Sequence, residues 1–218
     1  KYLTFNKKRT IVTIVGIILS CSLIGAVANL ITSFQSFMIN TSIEDYGPQH
    51  ATYKNVAIDK IKDIEDSQVI KEAYKNVDLG YSFLDNRQIE TQPFLSIKAF
   101  DNTSFSKKNV KLIKGRFPKN SNELVISDSI YENKGFKYNI GDKLNINVGQ
   151  RILGDEILSN NNTYPSIDAA GIQESFVNKY TKEYIIVGII GRPKFEAFYS
   201  PGYTAITYLD KTLLSSIT

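Results

Sequence analysis

The apolar positions of this chain fall into two regimes. From Ile11 to Ile31 they follow one another without a single charge, and Thr13, Ser20, Ser22 and Asn29 are the most polar members. A helix needs roughly 20 mainly apolar residues to cross a bilayer core of about 30 Å. In lipid only a helix or a closed barrel satisfies the backbone. The first regime therefore predicts a transmembrane helix over residues 11–31. Val27, Leu30, Ile31, Phe34, Phe37 and Met38 keep a 3-and-4 spacing on one face. The helix is thus expected to rise past the membrane as a stalk over residues 32–47. It should run to about Asp45 and stop at the breaker pair Gly47-Pro48. At about 1.5 Å per residue such a helix is about 52 Å long, several turns more than the bilayer core.

The second regime, residues 48–218, carries short apolar runs divided by polar turns. Strands are expected at His50–Val56, Asp78–Leu84, Pro93–Phe100, Asn109–Ile113, Glu123–Ile126, Lys143–Val148, Tyr184–Ile190 and Tyr203–Tyr208. Asp59–Asp66 reads as a helix with Ile58, Ile61 and Ile64 as its buried stripe, and Val69–Val77 is open between helix and strand. A turn is expected at Asp85–Arg87. Asp128 is the expected cap of a helix to about Asn133, with Gly135 after it, and Leu209–Ile217 begins a last helix. Residues 150–182 are polar and long, with Ser159–Thr163 at their centre. They read as a surface excursion carrying a short helix near Ala170–Tyr180, and loss of Asn160–Thr163 should leave the fold intact. Short strands alternating with short helices predict an α+β domain.

Charge fixes an orientation. The chain has 26 Lys and Arg against 22 Asp and Glu, a net charge of +4, and Lys1, Lys7, Lys8 and Arg9 supply all of it. Positive residues stay cytoplasmic. Residues 1–10 are therefore expected inside, with Tyr2, Leu3 and Phe5 near the head groups, and residues 48–218 outside. The rest of the chain balances to zero, so the basic pI of about 8.9 carries no nucleic-acid reading. A cleaved signal peptide is the rival reading of the first segment, with Ala26-Val27-Ala28 as its small-residue triplet. The apolar run exceeds the usual 7–15 residues, and its stripe continues past that triplet; both features favour an anchor. Within the span, Gly16, Ser20, Ser22, Gly25, Ala26 and Ala28 are small enough to let another helix approach. They are also ordinary in any transmembrane helix.

Little in the chain points to catalysis. The single Cys, Cys21, lies in the apolar run, and His50 is the only histidine. A cysteine nucleophile, a zinc cluster and a disulfide are thereby excluded from the outer domain. The acidic pairs Glu44-Asp45 and Asp155-Glu156 read as solvated charges. No catalytic, cofactor or metal residues are expected. The sequence lacks the G-x-x-x-x-G-K-[ST] phosphate loop, so any ATP hydrolysis falls to another subunit.

Three stretches carry a resemblance. Phe5–Ile24, FNKKRTIVTIVGIILSCSLI, is similar to the first transmembrane segment of FtsX/MacB-type ABC transporter permeases. Leu112–Ser127, LIKGRFPKNSNELVIS, followed by Ile140-Gly141-Asp142-Lys143, resembles the Gly-Arg-x-Pro, Asn-Glu and Gly-Asp pattern of that family's MacB-like extracytoplasmic core domain. Glu183–Gly191, EYIIVGIIG, resembles the strand that precedes its return to the membrane. The resemblance implies a permease subunit that transmits the motion of a cytoplasmic ABC-type ATPase to the outer domain. It further implies a homodimer or paired permease, and three more spans beyond Thr218, so that this chain is part of a longer protein. The motif residues Gly115, Arg116, Pro118, Glu123, Gly141 and Asp142 read physically as turn and pairing residues, with Arg116 placed to pair with Glu123 or to cap a carbonyl. The alternative reading is a singly anchored binding or sensor module without transport.

Overall fold

The computed structural model describes residues 6–85, 87–133 and 136–216, in two compact units, Lys1–Glu44 and Asp45–Thr218. The first unit consists of helix α1, Lys7–Tyr46, 40 residues and about 60 Å long, whose last two residues fall in the second unit. No residue of it is buried, and it ends where Gly47-Pro48 was expected to end it. Lys7, Lys8 and Arg9 form its exposed first turn. The hydroxyls of Thr13, Ser20 and Thr32 donate back to the carbonyls of Arg9, Gly16 and Ala28 at 3.0, 2.9 and 3.2 Å. Such bonds let a hydroxyl sit in an apolar helix without an unsatisfied donor. α1 is the one described helix long and apolar enough to cross a membrane, which marks an anchor or a signal sequence.

The second unit is a mixed α+β domain built on eight strands: β1 Asn76–Phe83, β2 Phe94–Phe100, β3 Leu112–Gly115, β4 Glu123–Ser127, β5 Lys143–Leu153, β6 Glu156–Ile157, β7 Ser175–Ile190 and β8 Gly202–Tyr208. Six of them, β7-β4-β8-β2-β1-β5, close into a barrel through the β5–β7 pairing. β2–β8 and β4–β7 are parallel, and the other pairs antiparallel. Alternate residues of these strands (Leu95, Ile97, Leu124, Ile126, Val148, Ile186, Tyr203 and Ala205) fill one buried cluster. Facing strand register places that cluster inside the barrel. The opposite faces of β4, β7 and β8 bury Val125, Val187, Ile190 and Ile206 in a second cluster, against Phe105 and Phe117. Closure depends on a close crossing, because a Cβ on Gly80 would lie 2.3 Å from the carbonyl oxygen of Gly149.

The register gives the barrel two ends. Asn76, Phe100 and Tyr208 share the base, where the chain comes in and leaves; Phe83, Phe94 and Gly202 share the apex. At the base, α3 (Asn102–Lys107) is capped by Asp101, whose carboxylate accepts the Ser104 N–H at 2.8 Å. Helix α4, Lys211–Ser216, is capped by Asp210 through the Leu213 N–H at 2.8 Å. Burial works to raise the Asp210 pKa, but the Leu213 and Ser121 donors outweigh it and hold it below the usual carboxylate range.

Several expectations are corrected. His50–Val56 is not a strand: no sheet edge receives it, and it runs irregular and largely exposed before α2, Ile58–Glu65. Ile58, Ile61 and Ile64 do share one face of α2, but they are half-buried. Val69–Val77 is mostly irregular and enters β1 only at Asn76. The strand expected from Asn109 starts at Leu112, because Asn109 takes φ 52° in the turn after α3. Residues Asp128–Glu132 form a 3₁₀ turn, and Ser127, not Asp128, caps it. The predicted helix near Ala170–Tyr180 is overturned: Ser175–Ile190 is one strand of 16 residues paired along β5, which itself runs on to Leu153. Lys1, Tyr2, Leu3, Phe5, Asn86, Gly135 and Ile217 lie outside the described residues.

Candidate functional site

The Gly-Arg-x-Pro stretch forms a clasp at the end of β3. Gly115 has φ +83°, and a Cβ there would lie 2.3 Å from the Val187 carbonyl oxygen and 2.8 Å from the Gly188 Cα. Only glycine allows both the left-handed backbone and the close approach to β7. The chain then turns Arg116 onto Glu123. Its two terminal nitrogens donate to the two carboxylate oxygens at 2.6 and 2.8 Å, and one also donates to the Phe117 carbonyl at 3.1 Å. Arg116 thus makes both contacts expected of it. The Lys119 N–H adds a third donor to Glu123 at 2.9 Å, across the turn that Pro118 stiffens. The Arg116 guanidinium, with the Lys119 amide, holds the Glu123 carboxyl at about 2, well below its ordinary 4.5.

The Gly141-Asp142 turn meets the same stretch of β7. The Gly141 N–H donates to the Ile186 carbonyl at 2.8 Å, and the Ile186 N–H returns to the Asp142 carbonyl at 3.0 Å. The Asp142 carboxylate accepts the Asn139 N–H at 2.8 Å and tightens the turn. Arg116 N–H donates to Val187, and Glu123 lies beside Ile185. Five of the six motif residues, Gly115, Arg116, Glu123, Gly141 and Asp142, therefore converge on residues 185–188, and Pro118 lies in the turn between Arg116 and Glu123. They tie β3, β4 and β5 to one strand, and their polar atoms are spent on that joint.

The segment after β5 is no loose excursion. Arg151 is fully buried, with its planar head against the rings of Phe94 and Tyr81 at 5.4 and 5.6 Å. Its Nε and Nη2 donate to the two oxygens of the buried Glu174 at 2.8 and 2.7 Å. Nη1 donates to the carbonyls of Ser159 and Asn162 at 3.0 and 3.1 Å, and Nη2 to that of Thr163 at 2.9 Å. All five N–H groups of the guanidinium are used. Asn160 adds a two-point bond to Gly202, donating at 3.0 Å and accepting at 3.1 Å. Residues 154–174 are thus a strap fastened over the outer face of β1, β2 and β5. Burial beneath it pushes the Tyr81 phenol up to about 12, although Arg151 opposes the shift.

A second buried carboxylate holds the apex loop 191–201. Glu196, 4 % exposed, accepts the Ser129 hydroxyl at 2.5 Å and the Thr204 N–H at 2.7 Å, with Arg192 Nε at 3.4 Å. Arg192 donates to the Ala197 carbonyl at 3.0 Å and lies 5.2 Å from the centre of the Phe198 ring. Phe198 and Tyr199 are left 79 % and 59 % exposed on a loop whose backbone is fixed.

Of the residues singled out in the sequence, Lys7, Lys8 and Arg9 lie on α1, Gly115, Arg116, Glu123, Gly141 and Asp142 form the β7 joint, and Pro118 lies in the turn that leads to Glu123. His50 is exposed on an irregular segment. Among the described residues no group of three or more His, Cys, Asp and Glu is arranged to hold a metal. Arg151, Glu174, Arg192 and Glu196 were not singled out. No protein-family model matches the chain, and no curated protein matches its sequence.

Proposed function

We propose that this chain is part of a permease subunit of an FtsX/MacB-type ABC transporter, in which motion driven by a cytoplasmic ATPase reaches an extracytoplasmic domain. The observation that carries the reading is the convergence of the resembling segments of the outer domain. Residues 112–127, 140–143 and 183–191 lie far apart in sequence, yet their motif residues meet on one stretch of β7. The basic-headed α1 adds support, since an uninterrupted helix of 40 residues transmits displacement that a flexible linker would absorb. In this reading Lys7, Lys8 and Arg9 hold the N-terminus in the cytoplasm and the barrel domain lies outside.

The alternative is a singly anchored binding or sensor module. It draws on the barrel, which closes within residues 76–208 and needs no second segment to complete it. Purification of the tagged full-length protein from its native membrane separates the two. The permease reading expects an ATP-hydrolysing subunit in fixed ratio with the chain. Recovery of the protein without any ATPase, under conditions that preserve membrane complexes, would leave the anchored module.

A further inference from the structure

The sheet stops at β3. This strand pairs with β7 along one edge, and among the described residues no strand lies along the other. An uncovered edge presents unpaired backbone donors and acceptors, which is the template for strand addition. A groove of about 370 Å³ opens on the adjoining face, floored by Ile189 and rimmed by Ile113, Lys114, Tyr131, Tyr138 and Ile140. Ile113, Ile140 and Tyr131 are 55, 40 and 39 % exposed, so the rim is apolar and open to solvent. Its far wall is braced, because the Tyr131 hydroxyl donates to the Tyr138 carbonyl at 2.7 Å.

We propose that the free edge of β3 and the groove beside it dock an extended segment of a partner protein in which acidic and apolar residues alternate. Geometry dictates the extended form. A strand added about 4.8 Å beyond β3 would satisfy the edge and project every second side chain onto the groove face. Charge selects the partner. Lys111 and Lys114 stand exposed along this edge, and the groove's one acidic residue, Asp128, is on the far wall and accepts the Arg192 N–H at 2.9 Å. Pairing of β3 with β3 of a second copy would bring lysines of both chains together, and like charges across a strand pair oppose association.

The test is selection from a phage-displayed library of random nonapeptides on the full 218-residue chain in detergent micelles. Enriched peptides should alternate acidic and apolar residues. Their affinity should fall roughly tenfold on Lys114→Glu and on Ile113→Asp, two exposed positions where folding is spared. Bound peptide should also slow amide exchange at residues 113–115. Failure to enrich any peptide, enrichment without acidic residues, or affinity indifferent to both substitutions would overturn the proposal. So would a dimer of the chain, seen by sedimentation, that either substitution disperses.

Discussion

Arginine is used sparingly here, and where it occurs it organises the domain. The chain has five arginines among 26 basic residues, and three of them, Arg116, Arg151 and Arg192, carry the joint, the strap and the apex loop. A guanidinium can fork onto a carboxylate and still serve carbonyls, which an ammonium cannot. The Gly-Arg-x-Pro stretch pointed to Arg116, whose partner lies seven residues on, but Arg151 gave no local sign of Glu174 or of the carbonyls that surround it. Arg151→Ala leaves Glu174 buried and unpaired and should cost about 3–5 kcal/mol. Arg151→Lys, with three donors for five, should cost about 2 kcal/mol. Urea denaturation of the full chain checks both values, and equal stability of wild type and Arg151→Ala would refute the buried role.

Glu123 offers a pH test at the same scale. Its carboxyl is lowered from 4.5 to about 2 by Arg116 and the Lys119 amide. The bond therefore contributes fully above the ordinary carboxylate range and is lost as pH falls toward 2. Wild type should lose stability across that window, and Glu123→Gln should be less stable at neutral pH but flatter in acid. Thermal melts from pH 7 to pH 2 would show it.

At the scale of elements, the legible parts were those with strong local pattern. β2, β4 and β8 lie within a residue of expectation, and α1 ends within a residue of it though it begins four residues earlier, because apolar runs and breakers mark them. The largest failure has a tertiary cause. Val177 and Thr181 stand on a strand whose partner, β5, is remote in sequence, and no helix competes once that pairing forms. With residues 150–182 read as a polar surface excursion, Asn160–Thr163 looked dispensable to the fold. The strap contradicts that expectation, since Ser159, Asn162 and Thr163 supply carbonyls to a buried cation. Deletion of Asn160–Thr163 should lower the melting temperature sharply or prevent folding. A deletion of the same length that kept the wild-type melting temperature would show that the strap is ornamental.

For the molecule as a whole, the apolar helix and the α+β class of the second unit were both legible, because one follows from composition and the other from strand and turn spacing. Closure of six strands was not, since β5 meets β7 through pairings with no local signature. The proposed transport reading requires that the motion of an ATPase reach the outer domain. Spin labels at Lys62→Cys, on the exposed side of α2, in a Cys21→Ser background, report that directly in the complex purified from native membrane. The distance between labels on paired subunits should change between the nucleotide-free and ATP-trapped states. An unchanged distribution in a complex that is actively hydrolysing ATP would contradict transmission of motion to the outer domain.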